Sequence, residues 1–261
     1  MTERLLAEKR GTVGWITFNN PERRNAMSLD MWEALPRALD AFEADGEVRV
    51  IALRGAGEKA FVSGADISQF EKDRSSPEGV QRYEEMAEGA QLRLSACDKP
   101  TVAAIRGYCL GGGVNIALAC DLRIAAEDAR FGIPAARMGI GYRASSTKNL
   151  VDTVGPAFAR EILITARQFS AAEALSMGLV QRVVPAAEFE ASAQALLADI
   201  AANAPLSMRT GKRIVRELLR SSDGFDAEAA RAWVRECMSS EDYKEGRRAF
   251  MEKRKPAFKG K

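Results

Sequence analysis

A chain of 261 residues, 46% hydrophobic and 28% charged, has the composition of a globular protein and a length that suits one large domain or a domain with an appendage. Its 38 basic and 36 acidic residues leave a formal charge of +2, which gives no general push toward nucleic acid or membrane surfaces. The absence of histidine removes Ser-His-Asp and Cys-His nucleophile systems, His-ligated zinc and His general bases together.

The N-terminal stretch MTERLLAEKR is charged and lacks a signal-peptide apolar region, and no apolar run reaches membrane-spanning length, so a cytoplasmic protein is expected. Leu5–Lys9 and Val13–Phe18 read as a hairpin turned at Gly11, followed by a turn at Asn19-Asn20-Pro21-Glu22. Ser28 is the expected N-cap of a helix carrying Leu29, Trp32, Leu35, Leu39 and Phe42 at helical spacing, with a kink or break expected at Pro36. Val48–Arg54 reads as a buried strand. Residues 60–67 read as a second strand ending at Gly64, with Asp66 as a helix cap. The polar run 71–79 reads as a mobile surface loop, and Tyr83–Cys97 as a helix.

Lys99 to Asp121 organises the rest. Val102–Ile105 reads as a buried strand, Gly107 and Gly111–Gly113 as a glycine turn, and Val114–Cys120 as a buried helix of small and apolar residues. Such a turn leaves unpaired helix-N-terminal amides able to hold an anion or a developing oxyanion; a tight connection without chemistry fits the stretch equally. Strands are expected at Leu122–Ala126 and Ala129–Phe131, a functional or connecting loop at Gly132–Thr147, and a helix at Pro156–Thr165. A capping box is expected at Ser170–Glu173, with Gly178 closing its helix, and a strand at Leu179–Val184. From Ala187 on the pattern is helical, in segments near 187–203, 206–220 and 226–253. Strand and helix alternation before it argues for an α/β core. Cys97, Cys109, Cys120 and Cys237 form no CxxC pair and read as reduced core residues.

With these pieces in place the chain resembles the crotonase superfamily, the enoyl-CoA hydratase/isomerase family, nearly end to end. The marks are Asn19-Asn20-Pro21 with Asn25-Ala26, Ser63-Gly64-Ala65-Asp66-Ile67, and Lys99-Pro100 leading to Gly107-Tyr108 and Leu110-Gly111-Gly112-Gly113. Ala119-Cys120-Asp121-Leu122-Arg123-Ile124-Ala125, Ala172-Glu173-Ala174 with Gly178-Leu179-Val180, and Phe250 through Pro256 complete them. The resemblance implies an α/β spiral of strand–strand–helix repeats over 1–186 and a helical region, 187–261, that drives homotrimers or hexamers. It implies an acyl-CoA thioester substrate, no cofactor beyond the coenzyme A of that substrate, and no metal. It places an oxyanion hole on the amides of Ala65 and Gly112. It places CoA contacts at Arg24, Ala26, Ser63 and the backbone from Ala65 through Asp66 and Ile67 to Ser68. Phe250 and Lys253 would reach the adenine and 3′-phosphate from a neighbouring subunit; read alone, Lys253 is a solvated charge in a basic tail.

Two positions depart from the family pattern. Where hydratases carry their two glutamates, this chain has Asn115 and Ala135. Hydration needs a base for water and an acid for the proton, and neither residue supplies one. Tyr142 stands where methylmalonyl-CoA decarboxylase-like members also carry tyrosine, although those have histidine at the position of Ala65. Decarboxylation of a 2-carboxyacyl-CoA needs an oxyanion hole and an oriented carboxylate but no base, so a lyase is the expected activity. Tyr142 packing in the core is the alternative. Arg137 and Arg143 are candidate carboxylate holders, with a surface placement as the alternative for each. Asp66 is expected to cap a helix, and Asp121 to pair with Arg123. A hydratase or isomerase using another acid, Asp66 or Glu71, is the second reading. A non-catalytic CoA- or RNA-binding relative is the third, with nucleic acid disfavoured by the charge balance.

Overall fold

The computed structural model describes residues 2–66, 77–219 and 227–261, without the side chains of Pro77, Val80, Ala227, Ala230, Cys237 and Phe250. The hairpin forms as β1 (Leu5–Arg10) and β2 (Val13–Phe18), paired antiparallel with Leu5 opposite Phe18. Helix α1 (Leu29–Ala44) follows and runs on through Pro36 without interruption. The proline removes one helical hydrogen bond, but the stripe of Met31, Trp32, Leu35, Leu39 and Phe42 is fully packed, and that burial offsets the loss. Ser28 occupies the N-cap position, yet its hydroxyl donates to the Asp30 carboxylate rather than accepting from the helix. An ionised acceptor makes the stronger bond.

Three turns of a spiral come next. Each has one strand in a large sheet, one in a small sheet, and a helix. They are β3 (Val50–Gly55), β4 (Ala60–Val62), α2 (Pro77–Ser95); then β5 (Thr101–Ile105), β6 (Tyr108–Leu110), α3 (Gly112–Ala119); then β7 (Leu122–Ala126), β8 (Arg130–Gly132), α4 (Ala144–Thr165). Of the expected mobile loop, residues 71–76 lie outside the described residues. Residues 77–79 open α2, with proline at the first helical position, where its missing N–H costs nothing. A break at Gly155 (φ 75°) divides α4, so its second half starts at Pro156 as the sequence suggests. Residues 144–147, expected in a loop, form its first turn, and Pro134–Met138 is a 3-10 turn.

The antiparallel β9 (Phe169–Ser170), the capping-box helix α5 (Ala171–Ser176) and β10 (Arg182–Val184) close the spiral. The large sheet has the order β1-β2-β3-β5-β7-β10 and is parallel from β2 onward; the small sheet has the order β4-β6-β8-β9. Side chains alternate across the large sheet. Ile51, Leu53, Ala103, Ile105 and Ala125 face the main core, whereas Val50, Ala52, Val102, Ala104, Ile124 and Ala126 face α6 (Phe189–Ala201). This is the α/β spiral of strand–strand–helix repeats that the resemblance implies.

The remaining helices are α7 (Pro205–Leu219), α8 (Ala227–Ser239) and α9 (Glu241–Met251). The long third segment expected at 226–253 is therefore two helices. Ser240 divides them, its Oγ accepting from the Tyr243 N–H at 3.0 Å in the manner of a helix cap. The tail folds back onto α9, where the buried Asp242 carboxylate accepts from the amides of Lys259 (2.6 Å) and Gly260 (2.8 Å). Among the described residues no helix is long and apolar enough to cross a membrane.

Candidate active site

Two strand ends meet beside α3. At the first, Met27 donates to the Gly64 carbonyl (2.8 Å) and accepts from the Asp66 N–H (3.0 Å), forming a parallel bridge with Ala65. Backbone groups alternate sides along an extended strand, so the Ala65 N–H is turned away from Met27. It has no partner among the described residues. At the second, Gly111 (φ 51°) turns the chain from β6 into α3, and its N–H donates to the Gly132 carbonyl at 2.9 Å. Gly112 is the first residue of α3, so its N–H has no intrahelical acceptor.

The two ends are in contact range. A Cβ placed on Gly112 lies 3.9 Å from the Gly64 backbone and 3.8 Å from the Trp32 indole. A Cβ on Gly113 falls 2.1 Å from the Val62 carbonyl oxygen, so only glycine allows α3 to approach β4 this closely.

Ala65 and Gly112 line a cavity of about 240 Å³. Asn115 and Ala135 lie on the same wall system, as do Ser63 and Tyr142. The Tyr142 hydroxyl donates to Asn115 Oδ1, which holds the amide of Asn115 in one orientation. Burial pushes the Tyr142 phenol well above its ordinary pKa, so it stays a neutral donor at any physiological pH. Arg143 is on the lining and donates to the Glu84 carbonyl at 2.9 Å, while Arg137 is exposed and off it. Trp32 Nε1 donates to the Tyr83 hydroxyl at 2.9 Å, tying α1 to α2 across the floor.

Of the CoA positions implied by the resemblance, Ser63 and Ala65 line the cavity. Arg24 and Ala26 lie in the adjoining segment, where the Arg24 carbonyl accepts from the Ser63 N–H at 3.2 Å. Arg24 stacks over Tyr108 at 4.9 Å. Asp66 is buried and off the lining, Ile67 and Ser68 lie outside the described residues, and so does Glu71. Lys253 is exposed and off the lining; the Phe250 side chain is outside the described set. The helix that Asp66 was expected to cap also falls there.

Asp121 does not pair with Arg123. It accepts from Thr101 N (2.7 Å) and Oγ1 (2.8 Å) and pairs with Lys212 Nζ at 2.6 Å. Thr101 and Lys212 come from β5 and α7, and adjacency in sequence gives no hint of either. Cys97, Cys109 and Cys120 are buried free thiols, and burial raises all three, Cys97 to about 12, so they are inert core residues.

Trp32, Tyr83 and Glu84 were not singled out as site residues from sequence. Trp32 sits in a regular apolar stripe, and helical spacing does not distinguish a cavity wall from a core. Among the described residues that line the cavity, Glu84 is the one carboxylate and Arg143 the one guanidinium.

Residues 8–261 match the family described as enoyl-CoA hydratase/isomerase. The short-chain-enoyl-CoA hydratase of Clostridium acetobutylicum is 36% identical over 255 residues, covering 96% of this chain and 95% of that protein. An enoyl-CoA hydratase/carnithine racemase structure from Magnetospirillum magneticum superposes with a TM-score of 0.95 at 35% identity, covering 100% of this chain and 97% of that one. An enoyl-CoA hydratase structure from Bacillus anthracis gives a TM-score of 0.91 at 32% identity, covering 99% and 100%. The chain belongs to the enoyl-CoA hydratase/isomerase family and, with it, to the crotonase superfamily.

Proposed function

We propose that the chain acts on acyl-CoA thioesters by stabilising a thioester enolate between the amides of Ala65 and Gly112, and that its reaction is a lyase step, the decarboxylation of a 2-carboxyacyl-CoA. The C–C bond to the substrate carboxylate breaks, carbon dioxide leaves, and the electron pair moves onto the thioester oxygen. A proton taken up at C2 completes the product. The observation that carries this reading is the cavity wall: two unpaired amides at adjacent strand ends, with Asn115 and Ala135 beside them. Two fixed N–H donors and a helix N-terminus favour a forming oxyanion, and each such donor is worth about 3 kcal/mol in comparable sites. Asn115 and Tyr142 supply hydrogen bonds near the acyl carbons, and Arg143 is the group suited to the departing carboxylate. No cofactor beyond the thioester's own coenzyme A is called for, and a cytoplasmic setting fits the substrate.

A second reading is supported by Glu84 and by the relatives named above as enoyl-CoA hydratases. In it Glu84, on the lining where Asp66 is not, handles the proton of an enoyl-CoA hydration or isomerisation. Incubation with malonyl-, methylmalonyl- and crotonyl-CoA, read by mass spectrometry, separates the two. Loss of 44 mass units from a 2-carboxyacyl-CoA supports the lyase. Gain of water on crotonyl-CoA with no decarboxylation overturns it. CoA binding with every thioester unchanged points to the non-catalytic reading.

The helical region 187–261 is proposed as a trimer contact. Val215, Leu218 and Leu219 on α7 are exposed, as are Val234 and Met238 on α8 and Met251 on α9, the last at 80%. Light scattering on the purified chain tests this, and a monomeric mass overturns it.

A further inference from the structure

Arg123 carries a second assignment for the same site. It lies in β7, is 6% exposed, and runs beneath the far end of α3. Its Nε donates to the Leu179 carbonyl (2.8 Å), and its Nη1 to the carbonyls of Cys120 (2.8 Å) and Ala117 (3.2 Å). The last two belong to the C-terminal turn of α3: Cys120 is its C-cap, and the Ala117 carbonyl, which also accepts from the Cys120 N–H at 3.2 Å, takes the guanidinium as a second donor. The Arg123 N–H donates to Gln181 Oε1 at 2.9 Å, and its carbonyl accepts from Gln181 N at 3.1 Å, so the backbone beneath the guanidinium is also pinned.

The Asp121 carboxylate is close enough to favour the charged form of Arg123 but makes no ion pair with it. Asp121, the nearest carboxylate in sequence, is committed to Thr101 and Lys212. Among the described residues Arg123 makes no ion pair. Burial pulls the guanidinium pKa down, yet arginine stays protonated across the working range. A buried cation solvated by carbonyls alone is costly to keep for packing, because an apolar residue fills such a place more cheaply. Its location gives it a use. Helix α3 spans eight residues, about 12 Å, from Gly112 at the cavity to the carbonyls under Arg123. A cation there complements the helix dipole at one end while the amides meet the anion at the other.

We propose that Arg123 is a positioning residue for the oxyanion: it clamps the C-terminal turn of α3, which fixes the Gly112 amide, and its positive charge at that end of the helix favours negative charge in the cavity. This rests on the enolate reading of the site given above. At about 12 to 15 Å and an effective dielectric near 20, the charge alone favours the anion by about tenfold.

The test uses acetoacetyl-CoA as a probe that needs no turnover. A 3-oxoacyl thioester ionises reversibly to an enolate that absorbs in the near ultraviolet, so the bound enolate-to-keto ratio reads anion stabilisation directly. The full-length protein should raise that ratio over free thioester. Arg123→Met should lower it about tenfold, with affinity for plain coenzyme A unchanged, and Arg123→Lys should restore most of it. Arg123→Gln, neutral but still a donor, replaces the methionine variant if circular dichroism shows that one unfolded. A native ratio in either folded neutral variant overturns the proposal. So does failure of both to fold while Arg123→Lys is native, which makes the role structural. If the unsubstituted protein shows no enhanced ionisation, the enolate reading itself falls, a result visible before any variant is made.

Discussion

The two halves of the cavity are built from different material. One half is backbone: the amides of Ala65 and Gly112, held by a parallel bridge to Met27 and by a glycine turn. The other half is side chain: Asn115, Ala135, Tyr142 and Arg143. The backbone half is fixed by the fold, since moving it means moving β4 or α3. The side-chain half is free to differ without disturbing a strand. A fold of this kind can therefore keep its backbone half while changing the side chains beside it, and under the proposed function Asn115 and Ala135 are where this chain does so.

Breaking the backbone half should have the largest effect. Gly112→Pro removes one amide at the first helical position, where proline is tolerated, so the fold should survive while turnover falls about 100- to 1000-fold. Near-native kcat in a folded variant would refute the role of Gly112. Gly113→Ala attacks the same half sterically. With the new Cβ 2.1 Å from the Val62 oxygen, the thermal unfolding midpoint should drop by the equivalent of about 3 kcal/mol.

Changing the other half should redirect rather than abolish. Asn115→Glu with Ala135→Glu places two carboxylates at the positions where the resemblance puts the hydratase glutamates. The double variant should gain crotonyl-CoA hydration, followed as loss of the enoyl thioester absorbance, at the expense of decarboxylation. An unchanged product profile would mean these positions do not set the reaction.

Tyr142→Phe frees the Asn115 amide and removes one donor. It should cost about 0.5–1.5 kcal/mol, up to about tenfold in kcat/KM, without altering affinity for coenzyme A. The smallest effect is on stability at high pH. The folded phenol of Tyr142 lies above its ordinary value, so above about pH 10 the unfolded chain loses this proton first and stability falls as pH rises. Tyr142→Phe should flatten that decline in urea titrations between about pH 9 and 11.

Much of the fold was legible because burial imposes simple periods. Thr101–Ile105 is buried at every position, as a central parallel strand must be, and the capping box at Ser170 formed with both of its bonds. The break at Ser240 was less visible, because apolar spacing continues across it and only one serine hydroxyl turns the chain. Gly111–Gly113 marked a tight turn into a buried helix, but composition left an anion site and a plain connection equally open, and the pairing of Gly112 with Ala65 came from the family resemblance. The other half was read only position by position, by comparing Asn115 and Ala135 with the glutamates the resemblance implies. Trp32, Tyr83 and Glu84 needed the third dimension, since nothing local marks which residues of α1 and α2 face empty space. Asp121 shows the same limit for charges. Its partners sit in β5 and α7, while the neighbouring Arg123 turns under α3.

The indole of Trp32 lies on the cavity floor, 3.8 Å from where a Gly112 Cβ would stand, and the other two tryptophans lie off the lining. Trp15 is sealed beneath Arg54 in the cluster on the opposite sheet face, and Trp233 sits on α8. One tryptophan of three thus touches the cavity in which the thioester is proposed to bind. Occupancy is readable as a shift in intrinsic emission, with Trp32→Phe as the dark control, so thioesters that are bound but never turned over become visible without a label.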